Sequence, residues 1–195
     1  VIKLNSPGGS VIASTDVFLN TLKLRDKKPV VVLVGDMALS GGYMWLLGGN
    51  YVYANPASLV GNIGAIMYLP GDYPAQEGIV STGPYKMTGG SQRNYIALLE
   101  LIKDAFVQSV VSQRGDKLRL PPDEVADGRL YFGFEAARLG LIDALGTESD
   151  ALAKAAKLAG LRSYSVVDVN REMEKLGVQF TFGRYNTYNP QSIKV

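Results

Sequence analysis

The sequence predicts an α/β fold built from stacked βαβ units. Three observations lead there. The run Pro29-Val30-Val31-Val32-Leu33-Val34 is continuous, apolar and β-branched, the pattern of a strand buried on both faces. Short apolar runs alternate along the chain with segments of helical periodicity. Most junctions between them carry glycine or proline, which break regular structure and start turns.

Taken in order, residues 1–4 form the first strand and Asn5-Ser6-Pro7-Gly8-Gly9-Ser10 the first turn. A helix is predicted over 11–24, with Ser10 as its N-cap and Val11, Phe18, Leu19 and Leu22 at helical spacings. The second strand spans 29–34, and a small-residue turn over 35–40 leads into a helix over about 41–47. Tyr51-Val52-Tyr53-Ala54 is the third strand. A fourth, broken by glycine, runs over 59–67, followed by a loop over 68–78 and a short strand at 79–81. The longest helix is predicted from Ser91 to about Gln113, its apolar side carrying Ile96, Leu99, Ile102, Phe106 and Val110. A short helix from Pro122, an edge strand near Gly128-Arg129-Leu130-Tyr131 and a compact helix over 133–143, closed by Gly140, come next. A helix over 148–160 and a strand near 164–169 complete the pattern. Residues 180–195 have no clear periodicity.

Composition narrows the chemistry. The chain has 195 residues, 47% of them apolar, which suits one domain with a real core. A net charge of +2 is too small and too dispersed to predict a nucleic-acid partner. Cysteine is absent, so disulfides and thiolate chemistry are excluded. Histidine is absent too, which removes the commonest metal ligand, and no metal or organic cofactor is expected. No apolar run reaches the roughly 18 residues of a membrane span. Val1-Ile2-Lys3-Leu4 reads as a strand already under way, so the chain is expected to be the truncated portion of a longer protein.

Ser40 stands at the end of an apolar strand, before Gly41-Gly42 and a helix start. Strand, tight turn, serine and helix together have the logic of a nucleophile elbow. A helix N-cap is the competing role for such a serine. A serine nucleophile needs a base, and without histidine the remaining route is a lysine of lowered pKa. Lys86, among Tyr85, Met87, Thr88 and Gly89, is the first candidate; Lys3 and Lys103 compete. Gly8 and Gly9 either form a plain tight turn or bring a backbone amide close to a substrate.

Five motifs fall in one order: Asn5-Ser6-Pro7-Gly8-Gly9-Ser10; Leu39-Ser40-Gly41-Gly42-Tyr43; Pro56-Ala57-Ser58-Leu59-Val60-Gly61-Asn62-Ile63-Gly64; Gly83-Pro84-Tyr85-Lys86; and Gly128-Arg129-Leu130-Tyr131 with 136–143. In this order they resemble the signal peptide peptidase A (SppA) family of serine proteases, relatives of ClpP within the crotonase-like superfamily. The resemblance covers roughly residues 1–146. It implies a ClpP/crotonase-like core of stacked ββα units over 1–146, with an earlier strand and helix missing from this chain. It also implies a C-terminal helical and oligomerisation region over 147–195, packing on the core or a neighbour. Carried over position by position, it implies Ser40 as nucleophile, Lys86 as general base, and the amides of Gly9 and Gly41 as the oxyanion hole. Where the family often has Gly-Ser-Ile-Gly, this chain has Gly61-Asn62-Ile63-Gly64, so an auxiliary hydroxyl at position 62 is missing.

The function expected from this reading is a Ser-Lys dyad endopeptidase. Its substrates would be peptides, such as remnant signal peptides or other hydrophobic segments near a membrane. The resemblance further implies a homo-oligomer, and membrane association through a segment absent from the chain. The rivals are an acyl-CoA enzyme of crotonase type, a phage-type capsid-maturation protease with the same dyad, and a non-catalytic scaffold.

Overall fold

A computed structural model describes residues 1–69, 80 and 82–177. They form two compact units, one over Val1–Arg162 and one beginning at Ser163. The first unit is organised around β2 (Val31–Leu39). Its register is parallel to β1 (Ile2–Ser6), β3 (Tyr51–Ala54) and β4 (Leu59–Gly61). Beyond β4 lies β5 (Leu130–Phe132), the antiparallel edge strand, and beyond β3 lies the two-residue β6 (Ala144–Leu145). The α/β expectation is met by this largely parallel six-stranded sheet.

Val31 and Val32 are fully buried because helices cover both faces of a parallel sheet. Each such side chain contributes about 1.5–3 kcal/mol relative to an exposed one. The helix α1 (Val11–Arg25) starts where predicted, with the Ser10 hydroxyl accepting from the Ala13 amide at 3.3 Å. It packs on α2 (Gly41–Leu46), which follows β2 directly. The long helix α3 (Gln92–Arg114) has Ser91 as its cap and buries Phe106, Val110 and Arg114. Then come α4 (Pro122–Val125), α5 (Gly133–Arg138) and α6 (Glu148–Leu158), the last packing against β2.

Three expectations change. β2 does not end at Val34 but runs on through Gly35-Asp36-Met37 to Leu39, because Met37, Ala38 and Leu39 pair with Leu59, Val60 and Gly61. That pairing is long-range and overrides the local turn signal. β4 stops at Gly61 rather than reaching residue 67, because Asn62 takes a left-handed φ of 49° and turns the chain away. In the second unit no strand forms near 164–169; Asp168 caps the helix α7 (Val169–Lys175), its carboxylate accepting from the Asn170 amide at 3.0 Å. The predicted strand at 79–81 and the segment 180–195 lie outside the described residues, apart from Val80.

One buried network braces the elements behind the strand–helix junction. Arg114 places two N–H groups on Asp143 at 3.1 and 3.2 Å and donates from Nε to the Gly140 carbonyl at 2.7 Å. Asp143 also accepts from the Val52 amide at 2.8 Å and from Lys117 Nζ at 2.7 Å. Beside them the Tyr43 hydroxyl donates to the Leu141 carbonyl at 2.9 Å. Burial pushes that hydroxyl well above its ordinary pKa, so it stays a neutral donor.

Burial alone would raise the Asp143 pKa. The Arg114 hydrogen bonds and charge outweigh it, with help from Lys117 and the Val52 amide, and hold it below the usual carboxylate value. A depressed folded-state pKa adds stability that is present above the unfolded value and lost as pH falls through the folded one. Asp143→Asn is therefore expected to cost about 3–5 kcal/mol at neutral pH, because it leaves a buried guanidinium without its counter-charge. Thermal melts should also show a shallower loss of stability below about pH 4 in the variant than in the parent. Equal melting curves would show the pair to be inert.

Candidate active site

Ser40 sits where β2 becomes α2, with φ 51° and ψ −122°, in a region that a non-glycine residue occupies only at a cost. Two backbone bonds hold it there. Its N–H donates to the Gly61 carbonyl at 2.9 Å, and its carbonyl accepts the Met44 amide at 3.0 Å. The N-cap role does not hold, since the Ser40 side chain makes no capping hydrogen bond. Ser40 is half-buried at this strand-to-helix turn, the local arrangement of a nucleophile elbow.

The turn after β1 lies against this junction. Gly8 has φ +108°, and a Cβ there would stand 2.8 Å from Ser40 Cβ and 2.9 Å from the Gly41 nitrogen. A Cβ on Gly41 would overlap Ser14 and come within 3.3 Å of the Gly9 nitrogen. Only hydrogen at these α-carbons lets the two loops approach so closely. The amides of Gly9 and Gly41 are thus brought together beside Ser40.

The sequence left open which glycine of the pair supplies an amide. The Gly8 amide is taken by the Ser6 hydroxyl at 3.1 Å. The Gly9 and Gly41 amides donate to no group among the described residues. No carboxylate stands in the first turn of α1 or α2 to compete for an anion.

These groups open into a groove of about 580 Å³. Ser40, Pro7 and Gly9 line it together with Ile63, Gly64, Ala65 and Ile66. One wall is α3, through Leu99, Glu100 and Lys103; another is the segment from Ala126 to Gly128. Asn62 joins these parts. Its amide N–H donates to the Arg129 carbonyl at 2.8 Å, and its side-chain Nδ2 to the Gly128 carbonyl at 2.9 Å. Asparagine tolerates the left-handed conformation better than most residues. Its role in clamping β4 to the turn before β5 is one the sequence reading missed, although the left-handed tolerance of asparagine was a usable signal.

The three lysines separate. Lys3 is exposed and pairs with Glu148 at 2.6 Å, away from the groove. Lys103 lines the groove with Ser40, but it is ion-paired with Glu100 and lies 3.8 Å from Asp104. The Glu100 hydrogen bond, against the opposing effect of burial, raises its pKa above the ordinary lysine value. That shift disfavours the free amine that a base needs. Lys86 lies in an exposed turn and is not among the described residues that line the groove. Among the described residues, then, the structure brings together Ser40, Gly9 and Gly41 and leaves Lys86 at the surface.

Among the described residues no group of three or more aspartate or glutamate side chains is placed to hold a metal ion. No helix there is long and apolar enough to cross a membrane.

Comparison with known proteins bears on this geometry. The chain is 33% identical over 190 residues to a protein of Methanocaldococcus jannaschii named as a protease, covering 90% of this chain and 60% of that protein. It is 33% identical over 178 residues to another so named in Synechocystis, covering 83% of this chain and 63% of the relative. It is 34% identical over 177 residues to Protease 4 of Salmonella typhi, covering 84% of this chain and 29% of that protein. The chain thus spans less than two thirds of the length of each. The model of peptidase family S49 matches residues 23–162, a span that holds the Ser40 junction, Lys86 and the Asn62 clamp. By that match and by its SppA and Protease 4 relatives, the chain belongs to peptidase family S49, the SppA family.

Proposed function

We propose that this protein is a serine endopeptidase working through a Ser40–Lys86 dyad on a ClpP/crotonase-like scaffold. The observation that carries the reading is the strained Ser40, its hydroxyl not spent on a helix cap, beside the uncommitted amides of Gly9 and Gly41. In the mechanism, Ser40 Oγ attacks the scissile carbonyl. Lys86, as the free amine, takes the serine proton and passes it to the leaving amine. The Gly9 and Gly41 amides stabilise the tetrahedral oxyanion. Water, deprotonated by the same amine, then releases the acyl group and regenerates Ser40.

Lys86 lies in an exposed turn and does not line the groove with Ser40. The reading accordingly includes a closed homo-oligomer, in which a neighbour covers the groove and brings a base lysine out of water. The exposed Ile96, Leu98 and Leu101 on α3, and Leu130, Phe132 and Phe134 around β5, are the apolar faces available for such packing. Apolar groove residues such as Ile63 and Leu99 suit hydrophobic peptides. Remnant signal peptides near a membrane fit this description, and one relative, from Enterococcus faecium, is named a signal peptide peptidase.

The test is the pH–rate profile. A lysine base acts only when deprotonated, so activity is expected to rise with pH in the wild type. Lys86→Ala should lose that limb and at least about 10²-fold in kcat. A profile flat from pH 5 and shared by the variant would remove Lys86 from the mechanism.

A further inference from the structure

The inward stripe of α3 runs through Leu99, Lys103, Phe106, Val110 and Arg114, at helical spacings of three and four. Phe106 and Val110 are buried as such a stripe requires, and Arg114 is explained by Asp143. Lys103 has no such explanation, since packing at its position asks for an apolar side chain. Its stem lies along this stripe while the ammonium head reaches solvent at the groove. The Lys103 side chain is 35% exposed, against 58% for Glu100 and 66% for Asp104, and it lines the groove that holds Ser40. Resting on the peptidase reading, we propose that Lys103 is a specificity residue that binds a carboxylate of the peptide, displacing Glu100.

The donor arithmetic favours an incoming acceptor. An ammonium has three N–H donors. Glu100 takes one, and Asp104 at 3.8 Å lies beyond hydrogen-bond distance. The remaining donors are available to a group lying in the groove. The other charged groove residue, Asp127, is already held by Arg129, through the guanidinium and the backbone amide at 2.9 Å. Asp127 therefore has its own counter-ion and does not compete for Lys103. Glu100 is more exposed and sits on a flexible stem, so its surface-type pair with Lys103 is cheap to break. A peptide lying in the groove covers the Lys103 head as it binds, and its carboxylate then makes the stronger charge-assisted bond. Ile63, Ile66, Leu99 and Ala126 line the same groove. The favoured substrate is thus an apolar peptide with one acidic group, either an aspartate or glutamate side chain or the chain's own C-terminal carboxylate.

The experiment measures kcat/KM on matched fluorogenic peptides. One arm scans glutamate against glutamine along the peptide; the other compares a C-terminal acid with its amide. In the wild type one arm should show an acid preference of about tenfold, the size of one charged hydrogen bond. Which arm responds identifies the source of the carboxylate. Lys103→Met should bring that ratio to about one, Lys103→Arg should keep it, and Glu100→Gln should raise it. Methionine suits the inward face of α3, so the first variant is expected to fold.

A ratio near one in both arms, or a preference for lysine-containing peptides, overturns the inference and leaves the peptidase reading standing. Fluorescence anisotropy of the same peptides on Ser40→Ala separates the two further. Selective binding without any wild-type hydrolysis would sustain the inference and count against the reading, and equal binding of acid and amide peptides would overturn the inference.

Discussion

Ser40→Ala is expected to lower kcat/KM for peptide hydrolysis by about 10⁴-fold or more, the scale on which loss of a covalent nucleophile is felt. The fold should hardly notice. The hydroxyl makes no capping bond, and the two backbone bonds that fix the junction, Ser40 N–H to Gly61 and Met44 N–H to Ser40, do not depend on the side chain. Alanine inherits the φ of 51° and its strain, so the melting temperature should stay close to that of the parent. Ser40→Gly gives a sharper contrast. It should be equally inactive and more stable by about 1 kcal/mol, since glycine adopts this backbone without penalty. Such opposite effects on stability and activity mark a residue kept for its chemistry. Hydrolysis by the alanine variant at near the wild-type rate would remove Ser40 from the nucleophile's role. Inactivity accompanied by a collapsed melting temperature would make Ser40 a structural residue.

Gly8→Ala is expected to have the second largest effect, about 10²–10³-fold in kcat, comparable to losing one oxyanion donor. The added methyl has nowhere to go. It meets Ser40 Cβ at 2.8 Å, the Gly41 nitrogen at 2.9 Å and the Leu39 carbonyl at 3.0 Å, and two of these three are backbone atoms. The φ of +108° adds strain for any side chain. The turn must retreat, which carries the Gly9 amide away from Gly41 and shifts Ser40 itself. Displacements of this size cost rate because the reacting atoms leave their alignment. Gly35→Ala is the matched control, as its nearest contacts would lie at 3.5 Å, ordinary van der Waals distance. It should keep most of its activity. Equal activity of the Gly8 variant and the parent would show that the turn after β1 does not shape the site.

The strand–turn–helix around Ser40 was legible because each part carries a local signal. The β-branched run ending at Val34 marks a buried strand, Gly41-Gly42 permits a tight junction, and Ser10 marks a helix start. Local signals failed where pairing partners come from afar. Gly35-Asp36-Met37 reads as a turn, yet it is strand, because β4 lies alongside it. The segment 164–168 has strand composition, yet no strand pairs with it, and Asp168 caps a helix instead.

By itself the sequence determined the chemistry that is possible. A chain without histidine or cysteine, with Ser40 before two glycines and with lysines to choose among, admits a serine–lysine route and excludes a histidine triad. Read residue by residue it left Gly8 and Gly9 both open and set Lys86 ahead of Lys3 and Lys103, while the family resemblance implied Gly9 and Lys86. Tertiary structure adds where these groups lie. The Ser6 hydroxyl takes the Gly8 amide, leaving that of Gly9 to face Gly41 across a contact that only glycines allow. Packing of α3 against the core placed Lys103 in the groove under the charge of Glu100, while Lys86 stayed in an exposed turn. The physical reason is one of range. Backbone conformation at a turn is set by neighbours in sequence, whereas the competition for an amide, or for a proton on lysine, is settled by groups that only the fold brings within a few ångströms.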